Sequence, residues 1–319
     1  MAIWVICEGQ ADGFRRGTHE LVAQARRVAA DGEEVVAVAV GADAAGAGAL
    51  AGRAHRVLKV EGENLEPFGA DPWVEALAPL LEEAGPSLVL WGEGARAREV
   101  VPRLAARLGW HAVMNGLALE RRDGGLRLLR PVCGGKAYQW LSADGAPLLA
   151  AFRPNSFDPE VPADLDTAVE ARQVSPGPGR VKVLERTEGT GERVDLTEAQ
   201  VVVSGGRGLK SPENLRLLED LADALGGAVG VSRAVVDAGW ADHSIQVGKS
   251  GKTVSPALYV AAGISGAVHH TMGMDTAKVV VAINTDPNAP IFRYADYGVV
   301  GDALQVLPAL TEEIRKLQA

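Results

Sequence analysis

The chain has 319 residues, of which 47% are hydrophobic and 23% are charged, and its formal net charge at pH 7 is -9. This length favours two domains over one, and the composition is that of a soluble globular protein. The acidic balance argues against a nucleic-acid partner, because a phosphate backbone requires a basic protein surface. Two cysteines, Cys7 and Cys133, are too few and too far apart for a metal cluster or a disulfide framework.

The N-terminus enters an apolar strand pattern directly and has no positively charged leader segment. No apolar run reaches the roughly 20 residues that a membrane-spanning helix requires. We therefore expect a cytoplasmic protein without direct membrane insertion. Its thiols should be reduced, and Cys7 should be buried in the first strand.

Strands and helices alternate through the first part of the chain, which implies a parallel sheet with right-handed crossovers. Asp71-Pro72 predicts a helix start, since an N-cap acceptor precedes a proline at the first helical position. The predicted strands are 3–7, 35–40, 57–60 and 88–91, and the predicted helices are 19–30, 42–54, 71–84 and 95–108.

The pattern then changes to short β-like runs at 117–120, 126–130 and 148–152. Hairpin turns at Asp123-Gly124-Gly125 and Asp144-Gly145 predict an antiparallel extension of the first domain. The segment 154–179 is rich in Pro, Asp and Ser, which disfavours long regular structure, and 181–186 is predicted as one last strand. We place the domain boundary near Gly191, between domains 1–190 and 191–319.

The second domain repeats the alternation of strands and helices. Ser211 and Pro212 predict a helix start, and Asp302 is predicted to cap the C-terminal helix. The predicted strands are 199–204, 228–231, 258–262 and 278–283, and the helices are 211–225 and 303–317. The fold class is therefore α/β with two domains, each a mostly parallel sheet flanked by helices. The C-terminal one is a doubly wound nucleotide-binding fold, in which ligands bind beyond the carboxyl ends of the strands.

Two glycine-rich segments raise the question of phosphate binding. The turn 205–208 lies between a strand and a helix, but Ser211 stands where the dinucleotide fingerprint has its third glycine. Arg207 in this turn can pair with a phosphate in a bidentate way. The segment 248–253 is no P-loop, because His243 and Gln246 stand where that motif needs a glycine.

The turn 263–266 can present backbone N–H groups to an anion, or its glycines can simply allow close packing; the local pattern leaves both open. His269 and His270 follow it. Adjacent residues cannot both face one ligand from a regular helix, so no metal site is predicted there.

The strings LYVAAGISGAVHH, VVVAINTDPNAPIF and ADYGVVGD lie together between 258 and 302. With VVVSGGRGL, AVGVSRAVVDAGW and IQVGKSGKTVSPALYV they resemble the signature region of the electron transfer flavoprotein α subunit. The resemblance covers most of 200–319 and is looser before that. It implies a C-terminal domain that binds FAD, and a heterodimer with a β subunit that holds AMP. The first domain then serves as scaffold and partner interface.

The same resemblance assigns roles to residues of the glycine turns. Arg207 should line the FAD site, Ser232 should contact the cofactor, and Arg233 should lie over the flavin ring, where a cation favours electron uptake. The Ser250 hydroxyl should donate towards flavin N5 from the turn Val247-Gly248-Lys249-Ser250. Lys249 stands where many relatives have Gln, and it either adds positive charge near the ring or points to solvent.

His270 matches the histidine that donates to flavin O2 in the family. His269 should lie behind it or in solvent. The backbone of this turn should come from Ser265, Gly266, Ala267 and Val268, with a helix dipole adding positive charge. Asn284, Asp302 and Ala303 should complete the FAD contacts, with Asp302 accepting from an adenosine hydroxyl while it also caps the helix.

The resemblance implies an electron carrier without its own substrate turnover. It should accept electrons from acyl-CoA dehydrogenases in fatty acid β-oxidation and from related enzymes, and pass them to an acceptor such as a membrane quinone oxidoreductase. Three alternatives stay open: a flavin-based bifurcating variant, a nucleotide-using enzyme of the doubly wound class, and a redox-inert nucleotide-binding subunit.

Overall fold

The structure is a computed structural model that describes residues 2–10, 13–143, 147–185 and 195–318. The chain forms two compact units, Met1–Thr187 and Glu188–Ala319. The boundary predicted near Gly191 and the turn predicted at Asp144-Gly145 lie outside the described residues. Both units are α/β with a parallel sheet, so the predicted fold class is confirmed.

The first unit is built on a seven-stranded parallel sheet and a small antiparallel sheet. Its helices are α1 (Arg16–Val28), α2 (Ala70–Ala84) and α3 (Ala95–Leu108), with short 3-10 helices at Gly41–Leu50 and Cys133–Gly135. In chain order its strands are β1 (Ala2–Cys7), β2 (Gly9–Gln10), β3 (Gly13–Phe14), β4 (Glu34–Val40), β5 (Arg56–Glu61), β6 (Leu88–Gly92), β7 (His111–Gly116), β8 (Ala118–Arg122), β9 (Gly125–Val132), β10 (Ala137–Ala143), β11 (Leu148–Phe152) and β12 (Ala168–Gln173).

The large sheet has the order β12-β5-β4-β1-β6-β11-β7, and its central strands β4, β1, β6 and β11 are buried on both faces, whereas the edge strand β12 is exposed. Successive side chains of a strand point to opposite faces. In β1, therefore, Ile3 packs into a core with Leu21 of α1, and Trp4 packs into a second core with Trp73 of α2. Cys7 is fully buried, as predicted.

Two strand predictions for the first unit are wrong. The strand at 148–152 is β11, which pairs in parallel with β6 and β7; all its residues are buried, which suits the interior of a parallel sheet. The antiparallel extension is formed by β8, β9 and β10 instead. No strand forms over 181–185; β12 takes the edge beside β5, within the segment predicted to be irregular.

The helix start predicted from Asp71 is also wrong in detail. Helix α2 begins at Ala70 with Gly69 as N-cap, and no side chain caps it. Asp71 instead accepts a hydrogen bond of 2.9 Å from Arg180 Nε. This guanidinium lowers the pKa of the Asp71 carboxyl to about 2. The long-range ion pair was not visible in the local sequence pattern.

The second unit is a five-stranded sheet in which all pairs are parallel. Its helices are α4 (Arg216–Leu225), α5 (Arg233–Asp237), α6 (Val268–Thr271) and α7 (Ala303–Gln318). Its strands are β13 (Val201–Gly205), β14 (Ala228–Val231), β15 (Leu258–Ala262), β16 (Val279–Asn284) and β17 (Tyr297–Val300), in the order β14-β13-β15-β16-β17.

This strand order places the topological switch point between β13 and β15. The chain leaves β13 towards β14 on one side and then crosses to β15 on the other. One core, with Leu218 of α4 and Leu307 of α7, covers one face of the sheet. Tyr259 and Met274 belong to the core of the other face. The helix predicted from Ser211 begins with a 3-10 segment, Pro212–Leu215, and α5 and β17 were not predicted.

Candidate functional site

The carboxyl edge of the second sheet gathers most of the predicted site residues. Because all five strands are parallel, their carboxyl ends lie along one edge. The residues that end or directly follow these strands are Arg207 after β13, Ser232 and Arg233 after β14, Ser265, Gly266, Ala267, Val268, His269 and His270 after β15, Asn284 in β16, and Asp302 and Ala303 after β17. The family resemblance named these residues, and the general rule that ligands bind beyond the carboxyl ends of parallel strands predicted the edge at which they lie.

The glycines at the switch point serve the packing of two turns. Gly206 N–H donates to Ala262 O at 2.9 Å, and Gly208 N–H donates to Gly263 O at 3.1 Å. A Cβ atom at Gly208 would lie 2.6 Å from the Gly263 Cα atom, and Gly263 has a left-handed φ of 62°. These two amides are therefore occupied by the neighbouring turn. Any anion at the turn 205–208 must therefore be held by other groups.

The segment 247–250 reaches the same edge by pairing with the end of β14. Val247 N–H donates to Val231 O at 2.9 Å, and Lys249 N–H donates to His269 O at 2.7 Å. The Lys249 side chain is exposed, and Ser250 Oγ accepts a hydrogen bond of 3.0 Å from Gln246 Nε2. No helix follows this turn, in agreement with the exclusion of a P-loop.

Four cationic side chains of this edge are exposed: Arg207, Lys210, Arg233 and Lys249. Arg233 forms a pair of 3.3 Å between Nε and Asp237 Oδ2, with both side chains more than half exposed. Exposed pairs of this kind contribute only about 0–1 kcal/mol. Arg233 can therefore exchange this partner for an anionic ligand at small cost.

Asp302 has two partners. Its Oδ1 accepts from Leu304 N–H at 3.0 Å, which confirms the predicted cap of α7, and its Oδ2 lies 2.7 Å from Lys210 Nζ. The hydrogen bond from Lys210, followed by that from Leu304 N–H, lowers the pKa of this carboxyl. Asp302 is thus ionised and fixed in place as an acceptor. Lys210 was not singled out from the sequence.

The side chains of Asn284 and Ala303 are engaged within the protein: the first is hydrogen-bonded and the second is buried. Asn284 Nδ2 donates to Ile264 O at 2.9 Å, and its Oδ1 accepts from Asp286 N–H at 3.0 Å. Its amide therefore braces the turn 263–266. Ala303 is buried in the core under α7. Their predicted contacts with a cofactor stay predictions, and the observed role of both is support of the edge.

The helix that follows the turn after β15 is short. Helix α6 has four residues, so the macrodipole predicted here does not develop, because the dipole grows with the number of aligned peptide units. Val268 is 54% exposed, and His269 is exposed beside it. The exposed side of α6 thus offers the apolar side chain of Val268 to a ligand, and α6 is too short to offer the positive end of a helix dipole.

His270 points inward from α6 and is 7% exposed. Its Nε2 lies 2.9 Å from the Tyr259 hydroxyl. Its Nδ1 is buried and forms no hydrogen bond of ordinary geometry, although the backbone of Val247 is near enough to favour the protonated ring. Burial outweighs that contact and lowers the pKa of His270 to about 4. At neutral pH the site contains a neutral imidazole with one unsatisfied nitrogen.

The sequence does not point to Tyr259, because this residue lies within the apolar strand LYVAA, whose pattern predicts only core. The one available signal for Tyr259 is that a tyrosine stands in an otherwise aliphatic buried strand, where its hydroxyl needs a partner.

Among the helices of the described residues, none has both the length and the apolar composition of a membrane-spanning helix.

Two family models match this chain. The model described as "Electron transfer flavoprotein domain" matches residues 3–183, and "Electron transfer flavoprotein FAD-binding domain" matches residues 195–275. The electron transfer flavoprotein subunit alpha of Bacillus subtilis is 37% identical over 307 residues, which are 95% of this chain and 94% of the relative.

Two further relatives are equally similar. The electron transfer flavoprotein subunit alpha of Mycobacterium leprae is 37% identical over 316 residues, covering 98% of this chain and 97% of the relative. Protein FixB of Azotobacter vinelandii is 37% identical over 327 residues, covering 98% of this chain and 91% of the relative. All three similarities extend over both units.

Proposed function

Because this chain belongs to the electron transfer flavoprotein α-subunit family and binds FAD, we propose that it is the FAD-holding half of a two-subunit electron carrier. It accepts electrons from acyl-CoA dehydrogenases of fatty acid β-oxidation and related dehydrogenases. It passes them to a downstream acceptor such as a membrane quinone oxidoreductase, without turning over a substrate of its own. We place this carrier in the cytoplasm. The convergence of the predicted site residues at the carboxyl edge of the second sheet carries the proposal.

The residues at this edge fit an anionic dinucleotide with a flat ring. Bound FAD supplies the electron-accepting chemistry. The exposed guanidinium of Arg207 can pair with phosphate oxygens, and Val268 offers exposed apolar surface. The unsatisfied Nδ1 of His270 can donate to a ring oxygen. Together with Ser232, Ser250 and Asp302 these groups would bind and orient the cofactor.

We also propose that the first unit carries the interface to a β subunit that holds AMP. Tyr138 and Trp140 of β10 are both exposed large aromatic residues. Exposed aromatic side chains are enriched at protein interfaces relative to the rest of the surface. Arg127 lies over the Trp140 ring at 5.2 Å, which keeps this side chain ordered. The antiparallel sheet is therefore the part of the first unit best suited to a partner.

The direct test is to co-express the chain with its β subunit, purify the complex and count its cofactors. We expect one FAD per complex, a yellow colour that is bleached reversibly by a donor dehydrogenase and its acyl-CoA substrate, and one AMP. A colourless complex that holds only another nucleotide would favour the redox-inert subunit. Turnover of a substrate without any donor or acceptor would favour the nucleotide-using enzyme.

The same count decides a second candidate function, the flavin-based bifurcating carrier. The similarity to proteins named both electron transfer flavoprotein subunit alpha and FixB keeps it open. A simple carrier should contain a single flavin with AMP in the partner. A second flavin in place of AMP would instead favour bifurcation, because splitting an electron pair over two paths requires two redox centres.

Replacing Arg233 with alanine should lower the flavin potential. A cation near the ring stabilises the added negative charge, and an exposed charge at short range contributes about 1–2 kcal/mol, or roughly 40–90 mV for one electron. Stepwise reductive titration of the purified complex measures this shift. Arg315→Ala is the matched control: Arg315 lies in the last turn of α7, about 18 Å along the helix from its start. Equal potentials in both variants would contradict the placement of Arg233.

Replacing Asp302 with alanine should weaken FAD retention during dialysis, because it removes the acceptor, the α7 cap and the Lys210 pair together. Asp302→Asn separates these roles, since asparagine caps helices as well as aspartate does. We expect both variants to lose FAD faster than the parent, and only the alanine variant to melt earlier. If the asparagine variant retains FAD fully, Asp302 is a helix cap only.

A further inference from the structure

We propose that Tyr259 is a positioning residue for His270: its hydroxyl donates to Nε2 and thereby holds the imidazole in the tautomer with its proton on Nδ1. The consequence for the cofactor rests on the proposed function, whereas the tautomer itself does not. The sequence pattern does not reveal this pair, because Tyr259 is the second residue of β15 and His270 lies in α6, beyond the intervening turn. It therefore gives no information on the tautomer either.

The pair is buried within an otherwise apolar core. Tyr259 is fully buried, and its neighbours in that core include Val202, Val247 and Met274. The oxygen of Tyr259 and the Nε2 atom of His270 are 2.9 Å apart, a normal hydrogen-bond distance. Ser204 Oγ is buried close enough to the Tyr259 hydroxyl to influence its pKa, but no hydrogen bond of ordinary geometry joins the two. His270 is thus the partner that the geometry gives to the tyrosine.

Both members of the pair are neutral at pH 7. Burial raises the pKa of the Tyr259 hydroxyl, and burial lowers the pKa of His270 to about 4. A neutral phenol has one O–H donor, and a neutral imidazole has one N–H donor and one acceptor nitrogen. The hydrogen bond between them can therefore form in two ways, which differ in what remains unsatisfied.

If Nε2 carried the proton and donated to Tyr259, two groups would be left over. The Tyr259 O–H would have only Ser204 Oγ as a neighbour, which lies outside ordinary hydrogen-bond geometry, and the buried Nδ1 would be a lone pair that faces no donor, with only the backbone of Val247 nearby. If Tyr259 donates to Nε2, only the Nδ1–H remains, and a carbonyl such as that of Val247 is a favourable neighbour for it. Buried polar groups avoid remaining unpaired, so the second arrangement is the stable one.

The arrangement fixes which atom His270 can offer to the cofactor. Its Nε2 is occupied by Tyr259, so the donor predicted for flavin O2 must be Nδ1–H. In the other tautomer this nitrogen would present a lone pair to the flavin oxygen, and two acceptors repel each other. Tyr259 therefore acts on the cofactor through His270, without touching it.

The test is a nitrogen NMR measurement of the histidine tautomers in the complex purified with its β subunit. With ¹⁵N-labelled histidine, the long-range nitrogen–proton spectrum distinguishes a protonated from an unprotonated ring nitrogen, and His270→Gln identifies the signals. We expect a protonated Nδ1 and an unprotonated Nε2 for His270, with and without FAD. A proton on Nε2, or a rapidly exchanging mixture in the parent protein, would overturn the proposal.

Tyr259→Phe removes only the hydroxyl and keeps the ring in the core. We expect the fixed tautomer to be lost and the affinity for FAD to fall about five- to tenfold, as for one lost hydrogen bond in a buried site. Ser204→Ala, which removes a neighbouring hydroxyl that does not bond to His270, should leave the histidine signals as they are. An unchanged tautomer in Tyr259→Phe, or an altered one in Ser204→Ala, refutes the role of Tyr259.

The outcomes separate this inference from the proposed function. A fixed Nδ1–H tautomer in a complex that binds no FAD would refute the proposed function and leave the tautomer assignment intact. A complex that binds FAD normally, in which Tyr259→Phe loses the fixed tautomer without any change in FAD affinity or flavin potential, would refute the positioning role and leave the electron carrier intact.

Discussion

Replacing Gly206 with alanine should destabilise the FAD-binding unit by about 3 kcal/mol and release most of the FAD. A Cβ atom there would overlap the Gly263 carbonyl and lie 2.9 Å from Ile264 Cα. All the overlapping atoms are backbone, so no side chain can move aside, and the two turns at the switch point must separate. Because folded domains are stable by only about 5–15 kcal/mol, a loss of this size should show clearly in denaturant unfolding.

Gly301→Ala is the matched control for this substitution. Gly301 directly follows β17 at the same edge of the same sheet, but a Cβ atom there would meet two side-chain methyl groups, Val306 Cγ2 at 3.3 Å and Val299 Cγ1 at 3.8 Å. A side-chain methyl group can shift by a few tenths of an ångström, so we expect a loss of less than about 1 kcal/mol. Similar losses for both variants would show that the close packing of the turns 206–208 and 263–266 is not what stabilises the edge.

Acidification from pH 6.5 to about 4 should cost the protein roughly 2–4 kcal/mol of stability through His270 alone. In the unfolded chain this imidazole binds a proton near its ordinary pKa of 6.5, whereas burial lowers the pKa to about 4 in the folded protein. Between these values the unfolded state holds more protons, so stability falls as the pH is lowered. Above pH 6.5 the contribution is constant.

His270→Gln should flatten this part of the stability profile, measured by urea unfolding at a series of pH values. His269→Gln, with an exposed side chain, should keep the acid sensitivity of the parent. His19 is also buried in part with a lowered pKa, whereas the pKa of the buried Glu20 is raised and acts in the opposite direction. Comparing parent and variant cancels both contributions. Parallel profiles for the parent and His270→Gln would contradict the burial of a neutral His270.

The local sequence was a good guide wherever one strand or helix carries its own pattern. Helix α3 was predicted at its observed bounds, and β15 likewise. The sequence misplaced elements whose role depends on distant partners. The local pattern predicts β11 as a strand of an antiparallel extension, although it lies between β6 and β7 in the parallel sheet. Asp71 was predicted as a cap, although it pairs with Arg180, 109 residues away.

The amino-acid order alone was enough for the family, for the α/β fold class, and for most of the strands at whose ends the predicted site residues lie, because signature strings, alternating elements and glycine turns are local properties. The fold settled which groups are available there. The Gly206 and Gly208 amides donate hydrogen bonds to the chain at Ala262 and Gly263, and the Asn284 side chain donates to Ile264 O in the same turn. The Tyr259 hydroxyl is hydrogen-bonded to Nε2 of His270. Such assignments depend on distances between residues far apart in the chain, and one-dimensional spacing contains no measure of them.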